Sequence, residues 1–191
     1  THSHASADTL GLWGPTAIDG KNDAYMDRLI DAAIAAGREA ASSKTEGALY
    51  YGYTETDPEE MLRDSRLPYV FDSNLYHLRF EPTDGSTGVR MYFYCAHAES
   101  LRSTNSKLSG DYAGVLCDRV CAETGDNAMF LPGAIGGLLM TKEFVETGTQ
   151  EGAEENLRIT GEKLAQYAFS IIPEIETPVE PSLRFGTSAF Q

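Results

Sequence analysis

The sequence predicts an α/β fold, a mixed β-sheet with packed helices. Two observations carry that prediction. Runs of strand-like alternation are interleaved with segments of helical apolar spacing, and a hairpin-type turn at 83–86 forces at least one antiparallel pair into the sheet. The chain has 191 residues, 41% hydrophobic and 10% aromatic, enough for one core that needs no disulfide or metal staple.

The first helix begins at Asp23, read as its cap. Met26, Leu29, Ile30, Ala33 and Ile34 recur at helical spacing until Gly37 and the Ser42-Ser43 pair weaken it. The aromatic run Ala48-Leu49-Tyr50-Tyr51-Gly52-Tyr53 follows as a strand and leads into the acidic segment Asp57-Pro58-Glu59-Glu60. Strands are predicted over 74–80 and 89–96, joined through Thr83-Asp84-Gly85-Ser86. In the first of them Tyr76, Leu78 and Phe80 alternate with Leu75, His77 and Arg79, and the Tyr76 set reads as the buried face.

A second helix is predicted over 111–123. Tyr112, Val115, Leu116, Arg119 and Val120 share a sector, and Gly125 stands where a left-handed terminator belongs. The apolar run Ala128-Met129-Phe130-Leu131 reads as a buried strand that empties into the loop Gly133-Ala134-Ile135-Gly136-Gly137. A third helix, over 152–172, carries Leu157, Gly161, Leu164, Ala165 and Ala168 on one stripe, and Pro173 stops it. Residues 173–191, with Pro173, Pro178 and Pro181, read as an extended proline-rich tail.

Charge removes one class of partner. With 15 basic and 29 acidic residues the formal net charge is −14, so a nucleic-acid backbone would be repelled before any contact formed. The longest apolar stretch, 128–140, is short and is broken by Pro132 and glycines, and it cannot span a bilayer. No cationic stretch followed by an apolar one opens the chain, so no secretory signal is visible, and the first residues read as the interior of a longer protein. Cys95, Cys117 and Cys121 are too few for a disulfide framework, and Cys117 and Cys121 read as small buried thiols on one helix.

The chemistry rests on histidine. His2 and His4 are two apart, so in an extended strand both imidazoles approach one point, as metal ligands do; a tag remnant or frayed terminus is the alternative. His97 ends an apolar strand, a usual position for a site residue in an α/β protein, and also one that a core histidine can occupy. His77, inside a strand, reads as structural. The loop 133–137 can present amides to an anion or an oxyanion, or simply make a tight connection. Arg66, in Asp64-Ser65-Arg66-Leu67-Pro68-Tyr69, can clamp a carboxylate or carbonyl, or form a surface ion pair.

These pieces stand in a familiar order. Thr1-His2-Ser3-His4-Ala5-Ser6 resembles the Thr-His-Thr-His-Ser-Gly segment of the neutral/alkaline non-lysosomal ceramidases. The run from Asp64 to Tyr69, followed by Leu75-Tyr76-His77-Leu78-Arg79-Phe80, resembles their Asn-Arg-Ser-Pro region and the next strand. Met91 to His97, then Ser109-Gly110-Asp111-Tyr112-Ala113-Gly114, is similar to their strand ending Phe-Ala-Val-His and the later Ser-x-Asp-x-x-Gly-Tyr-Ala stretch. Phe130-Leu131-Pro132-Gly133-Ala134-Ile135-Gly136 falls at their glycine-rich turn, and the helix from Gly152 at their next helix.

The resemblance implies a zinc-dependent hydrolase that cleaves the N-acyl amide bond of ceramide or a related N-acyl lipid, exported to a periplasmic or extracellular location. Residues 1–191 would be a single α/β segment of its larger catalytic domain. It implies His2 and His97 as metal ligands, His4 beside them as a catalytic residue, and Arg66, Gly133 and Gly136 as substrate-binding residues. It draws the remaining zinc ligands, a Glu and a Tyr, from the rest of the parent polypeptide. The family follows its glycine turn with Gly-Asp-x-Ser-Pro, whose serine is the proposed nucleophile. Here the stretch reads Gly136-Gly137-Leu138-Leu139-Met140, without serine. That departure keeps two alternatives, a related hydrolase of another substrate and a catalytically inert binding domain.

Overall fold

The computed structural model describes residues 2–102, 105–136 and 139–189. In chain order its elements are α1 (Asp23–Ser42), β1 (Gly47–Glu55), α2 (Pro58–Met61), β2 (Leu62–Asp64), β3 (Asn74–Pro82) and β4 (Val89–Tyr94). They continue with α3 (Asp111–Thr124), β5 (Asn127–Pro132), β6 (Leu139–Thr141), α4 (Gln150–Ser170), a 3-10 turn (Pro173–Ile175) and β7 (Thr177–Pro178).

Five strands form one mixed sheet in the order β5-β4-β3-β1-β7. β1 and β3 pair antiparallel from Gly47 opposite Pro82 to Glu55 opposite Asn74, and β3 and β4 are the antiparallel pair that the hairpin turn requires. β4 and β5 are parallel, and α3 is the crossover between them. β2 and β6, three residues each, make a separate two-stranded sheet that the sequence pattern did not signal.

α3 and α4 pack on each other and cover one face of the large sheet. Tyr112, Leu116 and Val120 from α3 meet Leu164, Ala165 and Ala168 from α4 and Leu75, Tyr92 and Phe130 from the strands in a single buried core. Gly125 ends α3 at φ +75, as its position predicts. At Gly161 the two helices touch backbone to side chain: a Cβ built there would stand 2.5 Å from Cβ of Val115.

The buried face of β3 is the other one. Leu75 and His77 are fully buried, whereas Tyr76, Leu78 and Phe80 are only partly covered. Counting apolar residues favours the Tyr76 set, but the polar members of the Leu75 set are neutralised from outside the strand. His77 and Arg79 both bond Glu176, which arrives just before β7. On the opposite face Tyr51, Tyr53 and Tyr76 lie with ring centroids 6.0–6.4 Å apart.

α1 is capped by Asn22, whose side chain accepts from the Tyr25 amide, one residue earlier than predicted. None of its residues is buried, and the apolar stripe of Leu29, Ile30 and Ile34 is exposed. Among the described residues no helix is long and apolar enough to cross a membrane. The proline-rich tail opens with the 3-10 turn and adds β7 to the edge of β1, with Tyr50 opposite Pro178 and Tyr51 opposite Thr177. The cysteines are free thiols, and burial pushes Cys95 and Cys117 up to about 11.

Candidate metal centre

Because β4 and β5 are parallel, their carboxyl ends open on the same edge of the sheet, where ligand sites of α/β proteins gather. Two segments leave there, 95–102 after β4 and 133–136 after β5. His97 stands in the first. Its amide donates to the Leu139 carbonyl at 2.9 Å, and it bridges Met140 in parallel, which fixes its backbone beside β6. Its ring is fixed by the second segment, since Nε2 lies 2.9 Å from the Ile135 carbonyl. A carbonyl only accepts, so the proton is on Nε2 and Nδ1 presents a lone pair.

The amino-terminal ribbon is fastened against this edge. The His4 amide donates to the Ala98 carbonyl at 3.0 Å, and the Ser109 amide donates to the Ala5 carbonyl at 2.9 Å. Ser3 donates its hydroxyl to the Ser109 carbonyl at 3.2 Å, and Ala5 packs on Leu101 and Ala153. The i, i+2 spacing then turns both imidazoles the same way.

The three rings converge. Nε2 of His2 is 2.8 Å from Nε2 of His4 and 3.1 Å from Nδ1 of His97, and the third nitrogen pair, His4 to His97, is 3.2 Å apart. Two nitrogens at zinc–nitrogen distances of about 2.0–2.1 Å and a tetrahedral angle stand about 3.3 Å apart, so the set is within a few tenths of an ångström of that spacing. The outer nitrogen of His4, Nδ1, faces Glu99 Oε1 at 3.4 Å. Both His4 and His97 therefore have a partner on the far side of the ring, which orients an imidazole toward a cation. Burial first, then the neighbouring His4 and His97, push the His2 pKa below its ordinary value and favour the neutral, ligating form. These donors fit a divalent cation. Among the described residues this trio is the group of histidine, cysteine and carboxylate side chains so placed.

The predicted substrate residues divide. Arg66 and Gly136 line one cavity of about 570 Å³, together with Asp64, Phe71, Asp72 and Leu139. No imidazole of the trio faces it, but Gly136 adjoins Ile135, whose carbonyl holds His97. Gly133 adjoins Ala134, which lines the same cavity, and its own amide donates to the Tyr94 carbonyl at 2.8 Å, extending the β4–β5 ladder. Gly137 and Leu138 lie outside the described residues.

Two features escaped the sequence reading. Glu99 is one; its spacing from His97 was the available signal. The other is a hollow of about 320 Å³ whose lining includes His2, His4, Leu10, Leu12 and Trp13. Asp8 folds that turn, its carboxylate accepting from the amides of Leu10 at 2.9 Å and of Gly11 and Trp13 at 2.8 Å. An Asp three residues before a Gly was its sequence signal, and Gly11 takes φ +76. His77 is remote from the trio in role, committed to Glu176 at 2.7 Å inside the fold.

No protein-family model matches the sequence, and no curated protein matches it. Solved structures do. The neutral ceramidase from Pseudomonas aeruginosa superimposes with a TM-score of 0.61 at 19% identity, over 72% of this chain and 24% of that one. A ceramidase complexed with C2 gives a TM-score of 0.59 at 18% identity, again over 72% and 24%. The chain thus spans about a quarter of the length of the structures it matches. At these identities the likeness concerns architecture, and the fold of these residues is that of a segment of neutral ceramidase.

Proposed function

We propose that this chain supplies the histidine side of a zinc site in a hydrolase that cleaves the N-acyl amide bond of ceramide or a related N-acyl lipid. The observation that carries the reading is the convergence of His2, His4 and His97, with the far nitrogens of two of them already engaged. His2 and His97 are the ligands in this reading. His4, whose Nε2 faces the same point, stands next to the reacting carbonyl with its proton held on the Glu99 side. Zinc bound here would polarise the amide carbonyl and lower the pKa of water.

Arg66 and Gly136 bind the polar end of the substrate from the cavity behind Ile135. The hollow formed by Leu10, Leu12 and Trp13 offers apolar surface directly beside the imidazoles, which suits a hydrocarbon chain next to the scissile amide. The remaining zinc ligands come from residues outside these 191, and an extracellular or periplasmic location belongs to the same reading.

The test is elemental analysis of the protein in its full-length form and in His2→Ala, His4→Ala and His97→Ala variants, paired with fatty-acid release from labelled ceramide. Loss of zinc and of activity in His2→Ala and His97→Ala is expected. Zinc that survives both substitutions overturns the ligand assignment, and zinc lost with His4→Ala makes His4 a third ligand. One observation favours a second reading, a related hydrolase of another substrate: no serine stands in the stretch 136–140. Zinc-dependent activity on other amides with none on ceramide would select it, and zinc binding without hydrolysis would select an inert binding domain.

A further inference from the structure

Asp111 opens α3 at φ +54, a left-handed backbone that L side chains other than Asn and Asp rarely take. Its side chain is buried and fully engaged. One carboxylate oxygen accepts from the Tyr112 amide at 2.7 Å and the other from the Leu101 amide at 3.2 Å, while the Ser100 hydroxyl bonds it as well. Its own amide donates to Oγ of Ser109 at 3.0 Å. Burial pushes the carboxyl up from the usual range, against the pull of these donors. A strained backbone and a buried carboxylate at one residue persist only where the surroundings impose them, and they gather at functional sites.

What Asp111 joins explains the expense. Ser100 and Leu101 end the segment that begins at His97. Ser109 holds the other segment, through its amide on Ala5 and its carbonyl on Ser3, between the two amino-terminal histidines and the ribbon that follows. Ser100 also bonds Oγ1 of Thr141 at 3.2 Å, which links the same segment to β6 and so to the strand beside His97.

We infer that Asp111 is a positioning residue for the histidine trio: its carboxylate sets the spacing between the segment that carries His97 and the ribbon that carries His2 and His4. It touches no ring. Its effect runs through backbone placement, as outer-sphere partners act on metal sites. The inference deepens the zinc reading and rests on it for one readout, whereas the second readout is free of metal.

The experiment compares Asp111→Asn, Asp111→Gly and the milder Ser100→Ala in the full-length protein. Zinc affinity is read by chelator competition, and amide exchange of His4, Ser109 and Tyr92 is read in the zinc-free protein. Asn accepts the left-handed backbone and Gly does so without strain, so neither removes the conformation; both remove the carboxylate. Expected are tenfold or greater losses of zinc affinity, with His4 and Ser109 exchange accelerated at least tenfold and Tyr92, in the sheet, unchanged. Ser100→Ala shifts the same quantities in the same direction by less. Wild-type exchange at His4 and Ser109 in both Asp111 variants overturns the inference. So does acceleration of Tyr92 in step with them, which marks general destabilisation. If the wild-type full-length protein binds no zinc, the zinc reading falls by itself, and exchange alone decides the role of Asp111.

Discussion

His77 donates its Nε2 proton to Oε1 of Glu176 across 2.7 Å, and neither side chain is more than 2% exposed. Arg79 completes the group with a forked contact, Nε to Oε1 at 2.9 Å and a terminal nitrogen to Oε2 at 2.6 Å, and lies over the Tyr50 ring at 4.3 Å. Glu176 follows the 3-10 turn and precedes β7, so a carboxylate from the tail neutralises two polar residues of a central strand 97 and 99 positions away. The Nδ1 atom of His77 is buried without a partner among the described residues, which is the arrangement of a neutral ring that donates once.

Acid should therefore weaken the fold in two stages. Burial pushes the His77 pKa below its ordinary 6.5, even though Glu176 pulls the other way. As pH falls through 6.5 the unfolded chain takes up a proton that the folded chain resists, so the unfolded state binds more protons and stability drops. Burial alone would raise Glu176, but Arg79 and His77 hold it below its ordinary 4.5, and its contribution is lost as pH falls below that value. Urea midpoints at pH 7.5, 5.5 and 4.0 should decrease in that order. In His77→Gln the step from 7.5 to 5.5 should shrink while the lower step remains; an equal upper step in the variant rules His77 out as its source.

Removing the carboxylate is more costly than titrating it. Glu176→Ala leaves the Arg79 guanidinium, whose side chain is 13% exposed, facing a vacated buried position. Breaking a buried ion pair from one side costs about 3–5 kcal/mol. Equilibrium denaturation should show a loss in that range. The paired change Arg79→Met with Glu176→Leu should lose less, because no buried charge is then left alone; Glu81, which also pairs with Arg79, is exposed to solvent. A larger loss in the pair than in Glu176→Ala contradicts the charge explanation.

Gly161 sets the approach of α3 and α4. Alanine is favoured over glycine inside a helix by about 1 kcal/mol, which alone predicts stabilisation. Here the new methyl would stand 2.5 Å from Cβ of Val115 and 2.8 Å from the Tyr112 carbonyl oxygen, so the helices must separate. Overpacking of this kind costs about 1–3 kcal/mol and outweighs the propensity gain. Gly161→Ala should therefore be destabilised in thermal melts, and adding Val115→Ala, which removes Cγ1 but keeps the Cβ at 2.5 Å, should recover little of the loss.

The places where sequence and structure agree share one property: the information is local. Asp111–Thr124 and the hairpin of β3 and β4 follow from periodicity and turn residues within the segment itself. The meeting of His2 and His4 was legible from their i, i+2 spacing, although residues 2–4 form no strand and the ribbon is placed by the His4 amide on Ala98. The orientation of β3 was not local. Leu75 and Tyr76 both begin plausible apolar faces, and Glu176 decided between them from the far end of the chain. β2 and β6 escaped notice for the same reason, since three-residue strands such as Leu62–Asp64 and Leu139–Thr141 exist only through a partner more than seventy residues distant. At Gly133 an amide that composition offers to a ligand is taken by the neighbouring strand, which no reading of glycine content can detect.

Glu99 gives the sharpest test of the histidine trio that leaves the three rings in place. Its carboxylate faces Nδ1 of His4 at 3.4 Å. A carboxylate behind an imidazole raises the basicity of its inner nitrogen and fixes the tautomer, and loss of such a partner commonly lowers the metal affinity or activity of the site 10–100-fold. Glu99→Gln keeps the shape, removes the charge and leaves a weaker acceptor for the Nδ1 proton. Its side chain is 36% exposed, so the fold itself should change by well under about 1 kcal/mol. Ceramide hydrolysis by the full-length protein should then be about tenfold slower in Glu99→Gln at full zinc loading, with zinc affinity by chelator competition and the urea midpoint of the zinc-free protein unchanged. Undiminished activity would mean that His4 does not depend on Glu99 for its orientation, whereas a tenfold loss of zinc affinity would make His4 a third ligand.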